Sequence, residues 1–193
     1  MLFSATKMLT VALAMVNYVA AAPVELVERD SKVIIGYRTM SEDKAKEYNK
    51  HDTPVWYTAS GIQLGDVVYL TPAPGEWKVP DSYWHCVIYA DQSKWLAAKK
   101  AWIPETADGK TLWYEPKNID SYIKNTRHLT PDDTLRLSVI KGDEHVLQLG
   151  IPKHMLGKTG HLGLTATCKA KASELPQHSV NYRSLNNVVG TAQ

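Results

Sequence analysis

The chain has 193 residues, 44% of them hydrophobic, and a formal net charge of +2. That length and apolar content suit one domain with a proper core rather than two. A balance this close to neutral gives no electrostatic case for nucleic acid or a membrane surface as partner, and neither is expected.

Residues 1–22 stand apart from any core. They carry one early cation, Lys7, then an apolar run and a small-residue end at Ala20, Ala21 and Ala22. This is the pattern of a cleaved secretory signal peptide, and the run is too short for a comfortable membrane span. The expected location is therefore extracellular. PVELVERDSK, residues 23–32, is charged and aperiodic and reads as a flexible leader. A single α+β domain is expected over 33–175, followed by a loosely ordered tail over 176–193.

VIIGY, residues 33–37, opens the domain as a β-branched strand, and Arg38 stands directly at its end. SEDKAKEYNKH follows as a helix with Ser41 as its N-cap, acids in the first turn and lysines later. DVVYLT (66–71) is a second strand that the prolines and glycine of PAPGEW terminate. YWHCVIYAD (83–91) is apolar on both faces, which predicts a central strand. SKWLAAKK reads as a short helix, AWIP as a short strand, and PKNIDSYIKNT as a helix with proline at its first position. Residues 134–152 predict two antiparallel strands joined by a tight KGD turn. The segment after them predicts a loop and then a helix carrying Cys168, with KAKAS as its solvated face.

Only two cysteines occur, Cys86 and Cys168. Export makes a disulfide between them the default, tying the central strand to that last helix. Closing a loop of about 80 residues stabilises a fold by roughly 4–5 kcal/mol in the chain-entropy model. No Asn-x-Ser/Thr sequon occurs, so N-glycosylation is not expected. His145, His154 and His161 are spaced nine and seven apart without a paired-ligand motif, so no metal site is expected. No Gly-x-Ser-x-Gly is present for a serine hydrolase. Six Trp and ten Tyr against one Phe suit either half-buried packing or a wet platform for sugars and nucleosides.

GYR (36–38), GDVVYLTP (65–72), WHCVIYAD (84–91) and EHVLQLGIP (144–152) come in an order that resembles a known family. It is the ADP-ribosyltransferase fold of heat-labile enterotoxin and cholera toxin A chains, and more closely of small secreted fungal relatives, over roughly residues 33–170. The resemblance implies split antiparallel sheets with flanking short helices, and NAD as substrate in a cleft between them. It also implies a monomeric toxin or effector in virulence, with a host or competitor protein as target. Arg38 matches the arginine that holds the dinucleotide, a role suited to a planar, permanently charged fork. Thr71 is the hydroxyl left from a Ser-Thr-Ser element, and Tyr69 before it matches a nicotinamide-stacking tyrosine. The catalytic glutamate falls on Glu144 in one alignment, with Gly142 where a second acid or glutamine is usual; a shorter alignment gives Gln148. The first implies transfer of ADP-ribose, the second a catalytically inactive effector or binding module on the same fold, because a glutamine offers no charge to a developing oxocarbenium ion.

Overall fold

The computed structural model describes residues 31–58, 62–77 and 79–192. The expected signal peptide over 1–22 and nearly all of the expected 23–32 leader lie outside the described residues. Along the chain run β1 (Lys32–Met40), α1 (Glu42–His51), β2 (Val67–Leu70), β3 (Trp84–Asp91), α2 (Gln92–Ala97), β4 (Lys99–Trp102), β5 (Thr106–Ala107), β6 (Lys110–Thr111), α3 (Pro116–Ser121), β7 (Thr134–Ile140), β8 (Asp143–Pro152), β9 (Thr165–Lys169) and β10 (Val188–Val189). Strands outnumber short helices, and the fold is mixed α+β.

Three strands form one sheet in the order β1-β3-β9, antiparallel throughout. β3 is central because both its faces are covered: Cys86, Ile88 and Ala90 are buried in the main core, and Val87 lies in a small second cluster with Tyr37 and Leu175. Cys168 pairs directly with Cys86 in register, and the two are disulfide-bonded. The bridge thus joins neighbouring strands, not a strand and a helix. Ala166 and Cys168 point inward while Thr167 and Lys169 point out, a period-2 pattern that KAKA composition hid. The KAKAS run is the end of β9 and a short 3-10 turn at Ala172–Glu174.

Five strands form the second sheet, in the order β10-β4-β7-β8-β2. β7, β8 and β2 are antiparallel as expected, but β10–β4 and β4–β7 are parallel. A parallel pair needs a long crossover, and the stretch containing α3 supplies it between β4 and β7.

The sheets meet at one bridge. The Tyr37 amide donates to the Thr71 carbonyl at 2.9 Å, and the Thr71 amide returns to the Tyr37 carbonyl at 2.8 Å. The expected loose tail seals this junction. The Tyr182 hydroxyl, on a buried ring, donates to the Ile35 carbonyl at 2.9 Å and lies 3.3 Å from the Thr71 carbonyl. Gly36 makes room for it, since a Cβ there would collide with that hydroxyl and sit 2.9 Å from Leu70 Cβ.

α1 lies on the three-stranded sheet through buried Ala45 and Tyr48. Asn49 clamps it to β9, donating to the Cys168 carbonyl at 3.1 Å and accepting from the Cys168 amide at 2.7 Å. Ser41 precedes the helix as expected, but its side chain makes no capping hydrogen bond. Among the described residues no helix is long and apolar enough to cross a membrane. Most of the aromatic surplus is packing: Trp95, Trp102, Trp113, Tyr37, Tyr48, Tyr69, Tyr122 and Tyr182 are buried.

Candidate functional site

Arg38 sits on β1 opposite Cys86, one residue past the bridge that joins the sheets. Cys86 faces the main core, so Arg38 extends from the same face toward α1. Its guanidinium lies 6.0 Å from the Tyr48 ring centroid and donates to the Tyr48 hydroxyl at 3.1 Å. Burial pushes the Tyr48 hydroxyl above its ordinary pKa, against the opposing pull of the Arg38 charge. Tyr57 stacks on Tyr48 with centroids 6.3 Å apart and planes 11° from parallel, and the Lys44 ammonium stands 5.1 Å above Tyr57. Among the described residues no carboxylate lies within ion-pair distance of Arg38. Two cations and two parallel rings therefore share one patch. It suits an anionic ligand with a flat group: phosphate oxygens for the guanidinium fork and the part-exposed Tyr57 ring for the stack, with fully buried Tyr48 behind it.

The chain leaving α1 carries this patch into a groove. Thr53, Pro54, Val55 and Trp56 form one wall, and Leu156 and Gly157 lie across from them in an open space of about 470 Å³. His51, Lys153 and Lys158 rim it. Lys153 sits over the Trp56 ring at 4.4 Å, Lys158 pairs with Asp52 at 2.9 Å, and Trp56 donates to Asp66 at 3.0 Å.

The other residues singled out in the sequence are distributed unevenly. Tyr69 is buried; its hydroxyl donates to the Gly65 carbonyl at 2.9 Å and accepts from the Leu64 amide at 2.8 Å. Burial raises its pKa far above that of a free tyrosine. One face is tilted against Trp77, so the ring is packed rather than open for stacking. The Thr71 hydroxyl donates to the Ala73 carbonyl at 3.0 Å, closing the turn after β2.

β2 and β8 pair as Tyr69↔Gly150 and Leu70↔Leu149, and one further step of that register sets Thr71 across from Gln148. The bridge places Tyr37, not Arg38, in one row with Thr71 and Gln148; Arg38, one residue further on, projects from the other face of β1. Gln148 is buried and donates to the Val139 carbonyl at 3.2 Å. Glu144 is outside this row. It is exposed beside the β7–β8 turn and accepts from the Gly142 amide at 3.3 Å. Four residues of strand separate it from Gln148, about 13 Å at ~3.3 Å per residue.

Sequence reasoning missed Tyr48, Tyr57 and Gln63. The spacing of Ala45 and Tyr48 marks one helix face, but nothing local to Tyr57 signals its stack. Gln63 lies over the β7–β8 sheet, donating to the Val139 carbonyl at 2.8 Å and to Ser138 at 3.1 Å. The segment before β2 is thereby fastened above Gln148 and Ser138.

The model of a family of unknown function, DUF5910, matches residues 62–191, roughly two thirds of the chain. The match takes in β2 through β10 and stops short of Arg38, Tyr48 and Tyr57. No curated protein and no solved structure matches.

Proposed function

This chain belongs to the DUF5910 family, and we propose that it is a secreted effector on an ADP-ribosyltransferase-like scaffold that binds NAD and leaves it intact. One observation carries the reading: Arg38 is a half-buried guanidinium with no carboxylate partner among the described residues, held against Tyr48 at the junction of the two sheets. A fixed charge so placed stays hydrated until an anion arrives, and a diphosphate matches its paired donors. The part-exposed Tyr57 ring, backed by fully buried Tyr48, is then the surface for a flat base, rather than packed Tyr69. The three- and five-stranded sheets meeting beside Arg38 support the scaffold. The disulfide and the small-residue end of the segment 1–22 support export.

Binding is favoured over transfer because the buried stretch of β8 beside β2 carries a glutamine, Gln148, and no carboxylate. A glutamine offers no negative charge to a nicotinamide ribose as its glycosidic bond breaks. Glu144, the carboxylate that could, is exposed at the hairpin. The protein's effect would then come from occupying a host or competitor protein target in its NAD-bound form, not from modifying it.

Calorimetry with NAD and chromatography of released nicotinamide test this on the purified protein. The expected result is one NAD bound per chain with no nicotinamide released. Arg38→Lys should bind about tenfold more weakly, and Arg38→Ala about a hundredfold, as charge-assisted hydrogen bonds worth roughly 1.5–3 kcal/mol are lost. A wild-type protein that does not bind NAD overturns the reading. Nicotinamide release that Glu144→Gln slows by about a hundredfold or more replaces it with transfer.

A further inference from the structure

Asp133 lies well upstream of His154 and His161 in sequence, and the three come from three separate turns. Asp133 ends the 3-10 turn Pro131–Asp133 that leads into β7, and His154 is the middle residue of the turn Lys153–Met155 that follows β8. His161 is carried by the glycine-rich loop that precedes β9. His154 Nδ1 lies 3.0 Å and His161 Nδ1 3.2 Å from the same carboxylate oxygen of Asp133. The two rings meet edge to face with centroids 4.9 Å apart. One ligand atom from each residue lies within 4.8 Å of the others.

We infer that these three side chains form a binding site for a divalent cation of the zinc class. Tetrahedral coordination with bonds of ~2.0–2.1 Å requires ligand atoms roughly 3.3 Å apart. Two of the three edges already meet that spacing. The third closes by rotation of one imidazole on its exposed side. Two neutral imidazoles and one carboxylate are the borderline nitrogen and oxygen donors that zinc, cobalt and nickel take. Both cysteines are held in the disulfide, so no thiolate competes for the ion among the described residues. The fourth coordination position faces solvent and would hold water.

The backbone under the ligands is ordered for this task. Met155 is buried beside His154, and Leu162 and Leu164 are buried just after His161. The loop is knit internally: the Leu156 amide donates to the Lys153 carbonyl at 3.2 Å, and the Leu164 amide to the Gly157 carbonyl at 3.0 Å. The histidines are therefore presented from anchored turns rather than free ends. Coordination at Nδ1 requires each neutral imidazole to carry its one proton on Nε2, so the ion takes the place of N–H donation to Asp133. It would also pin the turn after β8 to the start of β7. Lys153, Leu156, Gly157 and Lys158 of that same turn and loop line the groove, so occupancy stiffens one groove wall. This inference stands apart from the NAD reading.

Purified protein stripped with a chelator and titrated with zinc chloride tests it by calorimetry, with thermal unfolding alongside. One ion per chain is expected, with a raised midpoint of unfolding. Asp133→Asn and His161→Gln should each weaken zinc about a hundredfold while leaving the metal-free midpoint unchanged. His145→Gln, an exposed histidine on the hairpin, should bind like wild type. Absence of zinc binding overturns the inference, as does an isotherm that neither Asp133→Asn nor His161→Gln alters.

Discussion

Arg38 and Arg136 each stand on a strand, one in each sheet, yet their surroundings are opposite. Arg136 on β7 is almost wholly buried, donating to the Leu64 carbonyl and to Asp120 Oδ1, both at 2.8 Å. Gly65 lets the loop come that close, since its φ is +84° and a Cβ there would sit 2.7 Å from the guanidinium. Burial pulls the Arg136 pKa down, and the Asp120 charge acts against that fall. Arg38 is half open, makes one hydrogen bond to a phenol, and rests on an aromatic ring. The same side chain is thus a strut where both terminal nitrogens are taken up, Arg136 Nε alone lacking a partner, and a candidate receptor where only one is. Donor occupancy, not burial or charge alone, separates the two.

The largest perturbation of this contrast is on the Arg38 side, where the disulfide staples β3 to β9 beneath α1. Cys86→Ala with Cys168→Ala opens a loop whose ends are 82 residues apart and should lower stability by about 4–5 kcal/mol, read from guanidinium unfolding. Arg136→Ala comes next. It leaves the Leu64 carbonyl without its donor in a closed space and should cost about 3 kcal/mol. A loss below about 0.5 kcal/mol would show that Arg136 is not a strut.

Asn49→Ala removes both hydrogen bonds that fasten α1 to Cys168 and should cost about 1–2 kcal/mol. NAD affinity should fall with it, because Tyr48 is held on the same helix.

Lys100 on β4 sharpens the comparison with a third cation. It is buried, donates to the Trp95 and Ala98 carbonyls at 2.9 Å each, and lies 4.4 Å over the Trp95 ring, with no carboxylate paired to it among the described residues. Burial pulls its pKa down to about 8. An unfolded chain keeps that proton to about 10.4, so between those values the unfolded state binds more protons than the native one. Stability should therefore rise from pH 8 to pH 10, and Lys100→Met should flatten the rise in a pH series of denaturant midpoints.

Arg38→Ala should be the mildest for the fold, within about 0.5 kcal/mol of wild type, since one partly exposed hydrogen bond is lost. Its NAD affinity should nonetheless fall about a hundredfold. A large stability loss at Arg38 would erase the distinction drawn from Arg136.

Much of the molecule is legible in local sequence. The β-branched run of β1, the apolar β3, the KGD hairpin of β7 and β8, and the charge order of α1 each depend on residues a few positions apart. The breakers that bound β2 are equally local. A chain with two cysteines leaves each one the other as its sole partner within the chain. Arg38 stands out by the same local logic, as a charge on an apolar strand.

Four features were decided only by the tertiary structure. Cys168 is on a strand because β3 offers a hydrogen-bonding edge, and that pairing outweighs the helical composition of KAKA. The tail is ordered because Tyr182 finds a gap over Gly36, more than 140 residues away. Tyr57 joins Tyr48, and His154 and His161 converge on Asp133, through the path of the chain rather than through spacing. Propensity acts between neighbours along the chain. Which donors are filled, which rings stack and which ligands converge depend on segments that meet only after folding.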